Sequence, residues 1–183
     1  MKINLLDAGF ANHAKMFTVR VCERIPAEFG DEGLTVRFAL DPTLGAPESY
    51  RIDRVEGGWQ VIGSDELGLY FGIGKLLHSA KWSADAFAPV PTAGVVTPAC
   101  SYRAVYYSKH FYNWYQVAPV DEQERYLEDL LLWGYNVLHT TLPTVNATSF
   151  DDPIFTDAIE QTRRVFKLAK KLGNKIISSY RVL

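Results

Sequence analysis

Three of the five adjacent pairs of acidic residues have the most evident chemical potential in this 183-residue sequence. They are Asp65-Glu66, Asp121-Glu122 and Asp151-Asp152. Two carboxylates held near each other can act as a general acid and a general base. Each pair, however, stands where a helix is predicted to begin, and acidic side chains there cap the helix or stabilise its positive end. The sequence therefore predicts no catalytic carboxylate pair.

The spacing of a glycine-rich segment and of two cysteines excludes other chemistry. Gly68, Gly72 and Gly74 fit neither of the common phosphate-binding motifs, so they indicate close packing of a helix on a sheet. Cys22 and Cys100 are isolated in the sequence and are predicted to be buried free thiols. No motif implies a metal or an organic cofactor.

Composition and charge narrow the class of protein. The chain is 48% hydrophobic and 22% charged, with a net charge of -2, which is typical of a soluble globular protein. Neither half of the chain carries a large positive net charge, so nucleic acid is not an expected partner. No apolar run reaches the roughly 20 residues of a membrane span, and the first residues lack a signal-peptide pattern. We therefore expect a cytoplasmic protein without membrane contact.

Hydrophobic periodicity predicts a β-α-β-β-β-α order over residues 1–82. The predicted strands span 3–6, 34–40 and a hairpin over 50–63, and the predicted helices span 10–25 and 65–81. Gly57-Gly58 supplies the turn of the hairpin. This order favours a small α/β domain with its helices on one face of the sheet.

The remaining residues divide into a predicted linker and a second α/β segment. Residues 83–101 contain three prolines and little periodicity, which is typical of a linker. Within 102–183 the predicted order is strand 104–108, helix 121–133, strand 137–142, helix 152–172 and strand 175–180. Strands separated by single helices indicate parallel βαβ units. Three such strands cannot cover their own faces or edges, so the predicted fold class is α/β with an incomplete (β/α)8 barrel. Self-association through the uncovered barrel edges is expected.

This order of elements, with several short motifs, resembles the amino-terminal region of family-20 β-N-acetylhexosaminidases and the related α-glucuronidases and α-N-acetylglucosaminidases. Residues 48–52 ("ESYRI") and 58–72 ("GWQVIGSDELGLYFG") resemble a family segment "E-x-Y-x-I", a hairpin and a helix start "x-G-x-x-Y-G". Residues 101–104 ("SYRA") and 134–139 ("GYNVLH") resemble the first barrel strand, which begins at an arginine, and the second. The resemblance covers nearly the whole chain.

Two departures mark a divergent relative. Hexosaminidases carry Arg-His eight and nine residues after the arginine of the first strand, whereas Lys109-His110 follow Arg103 by six and seven. Residues 140–143 ("TTLP") stand where that family continues with an acidic segment of the substrate pocket.

The resemblance implies five substrate-binding residues. Arg103 matches an arginine that hydrogen-bonds sugar hydroxyls, for which a guanidinium group supplies several fixed donors. His110, Asn113 and Trp114 follow the first barrel strand, at the carboxyl end where barrel enzymes assemble their sites. Trp114 could stack on a pyranose ring. His139 in the second strand is the fifth. The structural alternatives are a strand-start arginine, packed aromatic rings and hydrogen-bonded core histidines.

The function implied by the resemblance is that of a glycoside hydrolase acting on a hexosaminide or a glucuronide. In the resembling enzymes an Asp-Glu pair after the fourth barrel strand does the chemistry, so these 183 residues alone are predicted to be inactive. A carbohydrate substrate is the expected partner. The alternative is a non-catalytic carbohydrate-binding or scaffold α/β protein whose second half pairs with another subunit. Five further βα units with an acidic pair would favour the first interpretation, and a stop codon after Leu183 the second.

Overall fold

The computed structural model describes residues 1–84, 86–109, 113–141, 149 and 151–179. The chain divides into two compact units. The first comprises Met1–Ala99 with Leu132–Gly134, and the second comprises Cys100–Leu131 with Tyr135–Leu183. The candidate site residue His110 and the predicted strand end at residue 180 lie outside the described residues.

The first unit is built on a five-stranded mixed sheet. Its strands are β1 (Lys2–Leu6), β2 (Glu28–Phe29), β3 (Leu34–Leu40), β4 (Tyr50–Val55) and β5 (Gly58–Gly63), in the order β2-β1-β3-β5-β4. The β4–β5 pair is antiparallel and the other pairs are parallel. Gly57 turns the β4–β5 hairpin with a φ of 73°, a conformation that favours glycine.

Two helices, α1 (Ala11–Cys22) and α2 (Glu66–Ser79), cover one face of this sheet. Phe17 of α1 packs edge-on against Phe38 of β3, with ring centroids 5.7 Å apart. Gly72 of α2 lies against Val61 of β5, so that an added Cβ would come within 2.6 Å of the valine. Because Phe38 and Val61 are register partners, both helices lie on the same face. The α/β class and the predicted elements are confirmed, and the two-residue strand β2 was not predicted.

The side chain of Asp65 joins the start of α2 to the loop before β4. One carboxylate oxygen accepts a hydrogen bond from the backbone N–H of Gly68 at 2.8 Å, and the other accepts from the N–H of Glu48 at 2.8 Å. Glu48 has a φ of 67°, which is unusual for a residue with a side chain. The first of the three acidic pairs therefore begins with a helix cap.

The segment from residue 83 to residue 97 contains paired and bonded structure. Strands β6 (Lys81–Ser83) and β7 (Ala86–Ala88) form a short antiparallel ribbon. The ring of buried Phe87 packs near that of Phe17, with ring centroids 6.1 Å apart. Further on, the Thr92 N–H donates to the carbonyl of Ile52 at 3.0 Å, and Val96 forms a bridge with Tyr50. The sequence predicts a linker here for two reasons. Three-residue strands are too short to show a hydrophobic period, and the prolines of this segment are typical of loops.

The second unit contains three parallel strands in the order β10-β9-β8, which are β8 (Ala104–Tyr107), β9 (Val137–Thr141) and β10 (Lys175–Ser179). The helices are α3 (Trp114–Val117), α4 (Val120–Leu132) and α5 (Pro153–Lys171). The Asp152 carboxylate accepts from the N–H of Ile154 at 2.9 Å and caps α5. The predicted β-α-β-α-β order is confirmed, and the short helix α3 was not predicted.

Two further expectations concern the cysteines and the membrane. Both Cys22 and Cys100 are exposed free thiols, so their predicted burial is wrong. Cys22 is the last residue of α1 and Cys100 lies in the loop before β8, and neither position faces a core. Across the described ranges, no helix has both the length and the apolar character needed to cross a bilayer.

Candidate functional site

The three-stranded sheet of the second unit has one covered face. The hydroxyl of buried Tyr107 on β8 donates a short hydrogen bond to the side-chain carbonyl of Gln123 on α4. The Gln123 amide donates in turn to the carbonyl of Ala118, at 2.6 Å. Burial, with the neighbouring Tyr115 and Tyr126, raises the pKa of Tyr107 above its ordinary range. This network fixes α4 on the strands and leaves the alternate residues to face the other side.

The opposite face of the same sheet carries a row of partly exposed side chains. Tyr106, His139 and Ile177 are register partners on the three strands. Tyr106 is 46% exposed, Ile177 is 41% exposed and His139 is half-buried. The ring of Tyr106 meets His139 edge-on, with centroids 5.5 Å apart. The predicted site residue His139 therefore lies on the open face of the sheet, and Tyr106 beside it was missed.

The carboxyl end of β8 leads into a short loop that holds two predicted site residues. Asn113 closes this loop, because its side-chain amide donates to the carbonyl of Ser108 at 3.0 Å and accepts from the N–H of Tyr115 at 3.1 Å. Trp114 follows it as the first residue of α3 and is 40% exposed. The two residues therefore stand together at the hydrogen-bonded start of α3.

Two tyrosine rings pack against Trp114. Its indole packs edge-on against Tyr115 and Tyr126, with centroids 5.4 and 5.3 Å apart. The hydroxyls of these two tyrosines lie 3.1 Å from each other, and the ring of Tyr115 lies 4.5 Å from that of Tyr107. Burial raises the pKa of Tyr126. The cluster packs against the indole, and part of the indole surface stays open to solvent.

Lys109 is a fully buried lysine two residues beyond the end of β8. Its side chain has no exposed surface, and its ammonium group lies 5.9 Å from the centroid of the Tyr107 ring. Among the described residues the ammonium group has no hydrogen-bond partner. Burial lowers the pKa of Lys109 to about 8. Lys109 is not among the predicted site residues, although its spacing of two from Tyr107 in the sequence could have indicated burial.

Arg103 lies at the opposite end of β8 from the Trp114 loop. Its backbone N–H donates to the side-chain oxygen of Asn136 at 3.0 Å, and its guanidinium Nη1 donates to the carbonyl of Cys100 at 2.5 Å. The four residues of β8 separate it from the loop, a rise of roughly 13 Å. The structure therefore brings Asn113 and Trp114 together and does not bring Arg103 to them.

The acidic pairs do not form a catalytic site in the part of the chain that the structure describes. Asp65 and Asp152 are helix caps, and Asp121-Glu122 lie exposed in the first turn of α4. No group of three or more His, Cys, Asp or Glu side chains placed to hold a metal ion occurs among the described residues.

No family model and no curated protein sequence matches this chain. Solved structures do. A GH138 enzyme targeting pectin rhamnogalacturonan II matches with a TM-score of 0.73 and 14% identity over 100% of this chain and 32% of its own. The chitobiase of Flavobacterium johnsoniae matches with a TM-score of 0.67 and 21% identity over 97% of this chain and 31% of its own. The β-N-acetylhexosaminidase of Bacteroides fragilis matches with a TM-score of 0.64 and 16% identity over 97% of this chain and 40% of its own.

These matches show that the chain shares its fold with family-20-type glycoside hydrolases. The resemblance that the sequence motifs predict is confirmed at the level of fold. The chain spans about a third of the length of the structures that it matches.

Proposed function

We propose that this chain is the amino-terminal part of a glycoside hydrolase that acts on a hexosaminide or a glucuronide, with its catalytic carboxylates in polypeptide beyond these 183 residues. One observation carries the proposal. Solved glycoside hydrolases of two families align with 95–100% of the chain, although their sequences are 14–21% identical to it. The loop after β8 is the place in the described structure where carbohydrate recognition has the best support.

The proposed roles in this loop follow from exposure and support. A pyranose has an apolar face, and an aromatic ring held rigidly with an open surface can stack on it. Trp114 has an open surface, and Tyr115 and Tyr126 pack edge-on against its indole. Asn113 acts as a positioning residue, because the nitrogen and the oxygen of its side-chain amide both form hydrogen bonds with the loop backbone. His139 contributes an imidazole on the open sheet face, and the role of His110 rests on the resemblance alone.

Arg103 is proposed to bind sugar hydroxyls on the resemblance, and it needs a test separate from that of Trp114. Its guanidinium group has several donors, of which Nη1 bonds the Cys100 carbonyl. Because Arg103 and Trp114 lie at opposite ends of β8, substitutions at the two positions should affect the kinetics independently.

The test compares the 183-residue chain with a protein extended by the downstream reading frame, using chromogenic hexosaminides and glucuronides. We expect turnover by the extended protein and none by the 183-residue chain, because barrel catalysis needs groups from several strand ends. Hydrolysis by the 183-residue chain would overturn the assignment of the catalytic carboxylates to later residues. An extended protein without glycosidase activity would overturn the proposed function.

Variants of the extended protein then test the residues. Arg103→Ala should lower kcat/KM about ten- to hundredfold, which corresponds to charge-assisted hydrogen bonds worth roughly 1.5–3 kcal/mol. Trp114→Ala should lower it about two- to tenfold, as expected for lost stacking of about 0.5–1.5 kcal/mol. Trp133→Ala is the matched control, since Trp133 is 67% exposed and lies outside the loop after β8. Unchanged kinetics in Arg103→Ala would assign that residue a structural role.

A further inference from the structure

Gln123 is a fully buried polar residue at a position of α4 where the helix pattern favours an apolar one. It precedes Leu127 by four residues and Leu131 by eight, so the three side chains share one face of the helix. The two leucines are at most 2% exposed, and Gln123 has no exposed surface. Burying an amide in a core is costly unless it is hydrogen-bonded. The partners of this amide therefore indicate why a glutamine stands there.

The Gln123 amide joins strand β8 to the end of α3. Its oxygen accepts a hydrogen bond from the Tyr107 hydroxyl, and its nitrogen donates to the carbonyl of Ala118 at 2.6 Å. A backbone carbonyl only accepts, so the amide nitrogen has to face Ala118 and the amide oxygen has to face Tyr107. The N–H of Ala118 donates in turn to the carbonyl of Trp114 at 2.9 Å. Three successive hydrogen bonds thus connect β8 with the residue that carries the indole.

Helix α3 depends on bonds from outside because it is a single turn. It comprises four residues, and a helix of this length does not offset the cost of its own nucleation. Asn113 bonds its first turn through the N–H of Tyr115, and Gln123 bonds its other end through Ala118. Two side-chain amides, one in the loop and one in the core, therefore hold the two ends of α3.

We propose that Gln123 is a positioning residue for the stacking surface of Trp114. The inference rests on the proposed function, in which this indole stacks on a pyranose, and it extends the site from the exposed loop to the buried face of α4. Gln123 acts through Ala118 and α3 and does not itself contact the sugar. Without the amide, the end of α3 loses its bond to the core, and a displaced indole no longer meets the sugar in the stacking geometry.

The first test follows the indole by fluorine NMR of the 183-residue chain labelled with 5-fluorotryptophan. The chain has four tryptophans, and Trp114→Phe assigns the resonance of interest. In Gln123→Met, which keeps a side chain of similar length without the amide, the Trp114 resonance should shift or broaden, and that of Trp133 should stay unchanged. Thr162→Val is the matched control, because it removes another buried hydrogen bond to an alanine carbonyl, at 2.7 Å within α5. It should leave the Trp114 resonance in place.

The second test is a double-mutant cycle in the extended protein. Gln123→Met should lower kcat/KM about two- to tenfold, as expected for Trp114→Ala, with the change in KM because stacking binds substrate and transition state alike. If Gln123 acts through the indole, Gln123→Met in a Trp114→Ala background should lower kcat/KM further by less than about twofold. Thr162→Val should leave both kinetic constants unchanged.

The possible results separate this inference from the proposed function. An unmoved Trp114 resonance in Gln123→Met, or losses that multiply in the double variant, would overturn the positioning role and leave the glycosidase assignment intact. An extended protein without glycosidase activity would overturn the proposed function, and the fluorine spectra would still decide whether Gln123 positions the indole. If circular dichroism shows that Gln123→Met does not fold, Tyr107→Phe takes its place, since it keeps the ring and frees the amide from β8. An unmoved Trp114 resonance in that variant would likewise overturn the role.

Discussion

Replacing Lys109 by methionine should stabilise the protein, which is the reverse of the usual effect of a core substitution. The two side chains have similar length and apolar stems, so the cavity changes little, while the uncompensated charge disappears. Burial lowers the pKa of Lys109 from 10.5 to about 8. At neutral pH that difference corresponds to an unfavourable contribution of about 3 kcal/mol to folding. Because the attraction to the Tyr107 ring is lost, we expect a net gain of about 2 kcal/mol in the free energy of unfolding.

The pH dependence of stability distinguishes the loss of a buried charge from a change in packing, because a packing change alone does not depend on pH. The folded-state pKa of Lys109 lies below the unfolded value, so the unfolded chain binds more protons between about pH 8 and 10.5. The stability of the unsubstituted protein should therefore rise across this range relative to that of Lys109→Met. The advantage of the variant should be largest below pH 8 and should shrink as the pH rises towards 10.

The assay is urea unfolding of both proteins at pH 7, 8, 9 and 10, followed by circular dichroism. Hydrogen exchange resolved by peptide assigns the change to the strands and helices of the second unit. Lys167→Met, which removes an exposed charge of the same kind, should change the free energy of unfolding by less than about 0.5 kcal/mol. A destabilised Lys109→Met, or a difference between the two proteins that does not depend on pH, would refute the reasoning.

Four other predictions concern stability, boundaries and association. Asp65→Ala should lower the free energy of unfolding of the first unit by about 1–3 kcal/mol in urea, because two backbone N–H groups lose their acceptor, whereas Asp31→Ala at an exposed site should have little effect. Burial lowers the pKa of His13, so stability should fall as the pH drops below about 6.5, where the unfolded chain takes up the proton first; melting between pH 7.5 and 5 should show this slope, and His13→Gln should abolish it. Limited proteolysis should cut at 98–101 and leave a cooperatively melting amino-terminal fragment. Light scattering should detect self-association of the 183-residue chain that decreases in Ile177→Ser, and a monodisperse unsubstituted monomer would contradict this expectation.

The long elements could be predicted from the sequence because their side chains repeat with a clear period. The alternation in β3 and the stripe of buried residues in α5 each extend over several repeats, and the caps at Asp65 and Asp152 mark helix starts. Strand β2 has two residues and β6 and β7 have three each, which is too short for a period. Their positions are set by pairing with distant segments, and such pairing leaves no local signal.

The candidate site was predictable only in part, for a related reason. Asn113 and Trp114 follow a strand, and the location of sites at strand ends is a general rule that needs no coordinates. The unpaired state of Lys109 depends on what surrounds it in three dimensions, and a lysine beside a strand usually reaches solvent. The distance between Arg103 and Trp114 is fixed by the length of β8, which the sequence placed one residue too long at its carboxyl end.

Gly58 has a consequence for the order in which the first unit folds. The β4–β5 hairpin joins neighbouring segments through two residues and can close in about 1–10 μs, whereas the parallel pairing of β3 with β5 must bring together more distant segments. A Cβ at Gly58 would come within 1.8 Å of the carbonyl oxygen of Thr35 on β3. Alanine at this position would leave the hairpin free to form and would obstruct its docking on β3. Gly58 therefore acts after the hairpin has formed. During folding of the Gly58→Ala variant, a kinetic intermediate should accumulate in which the β4–β5 hairpin is closed and β3 is not yet paired with it.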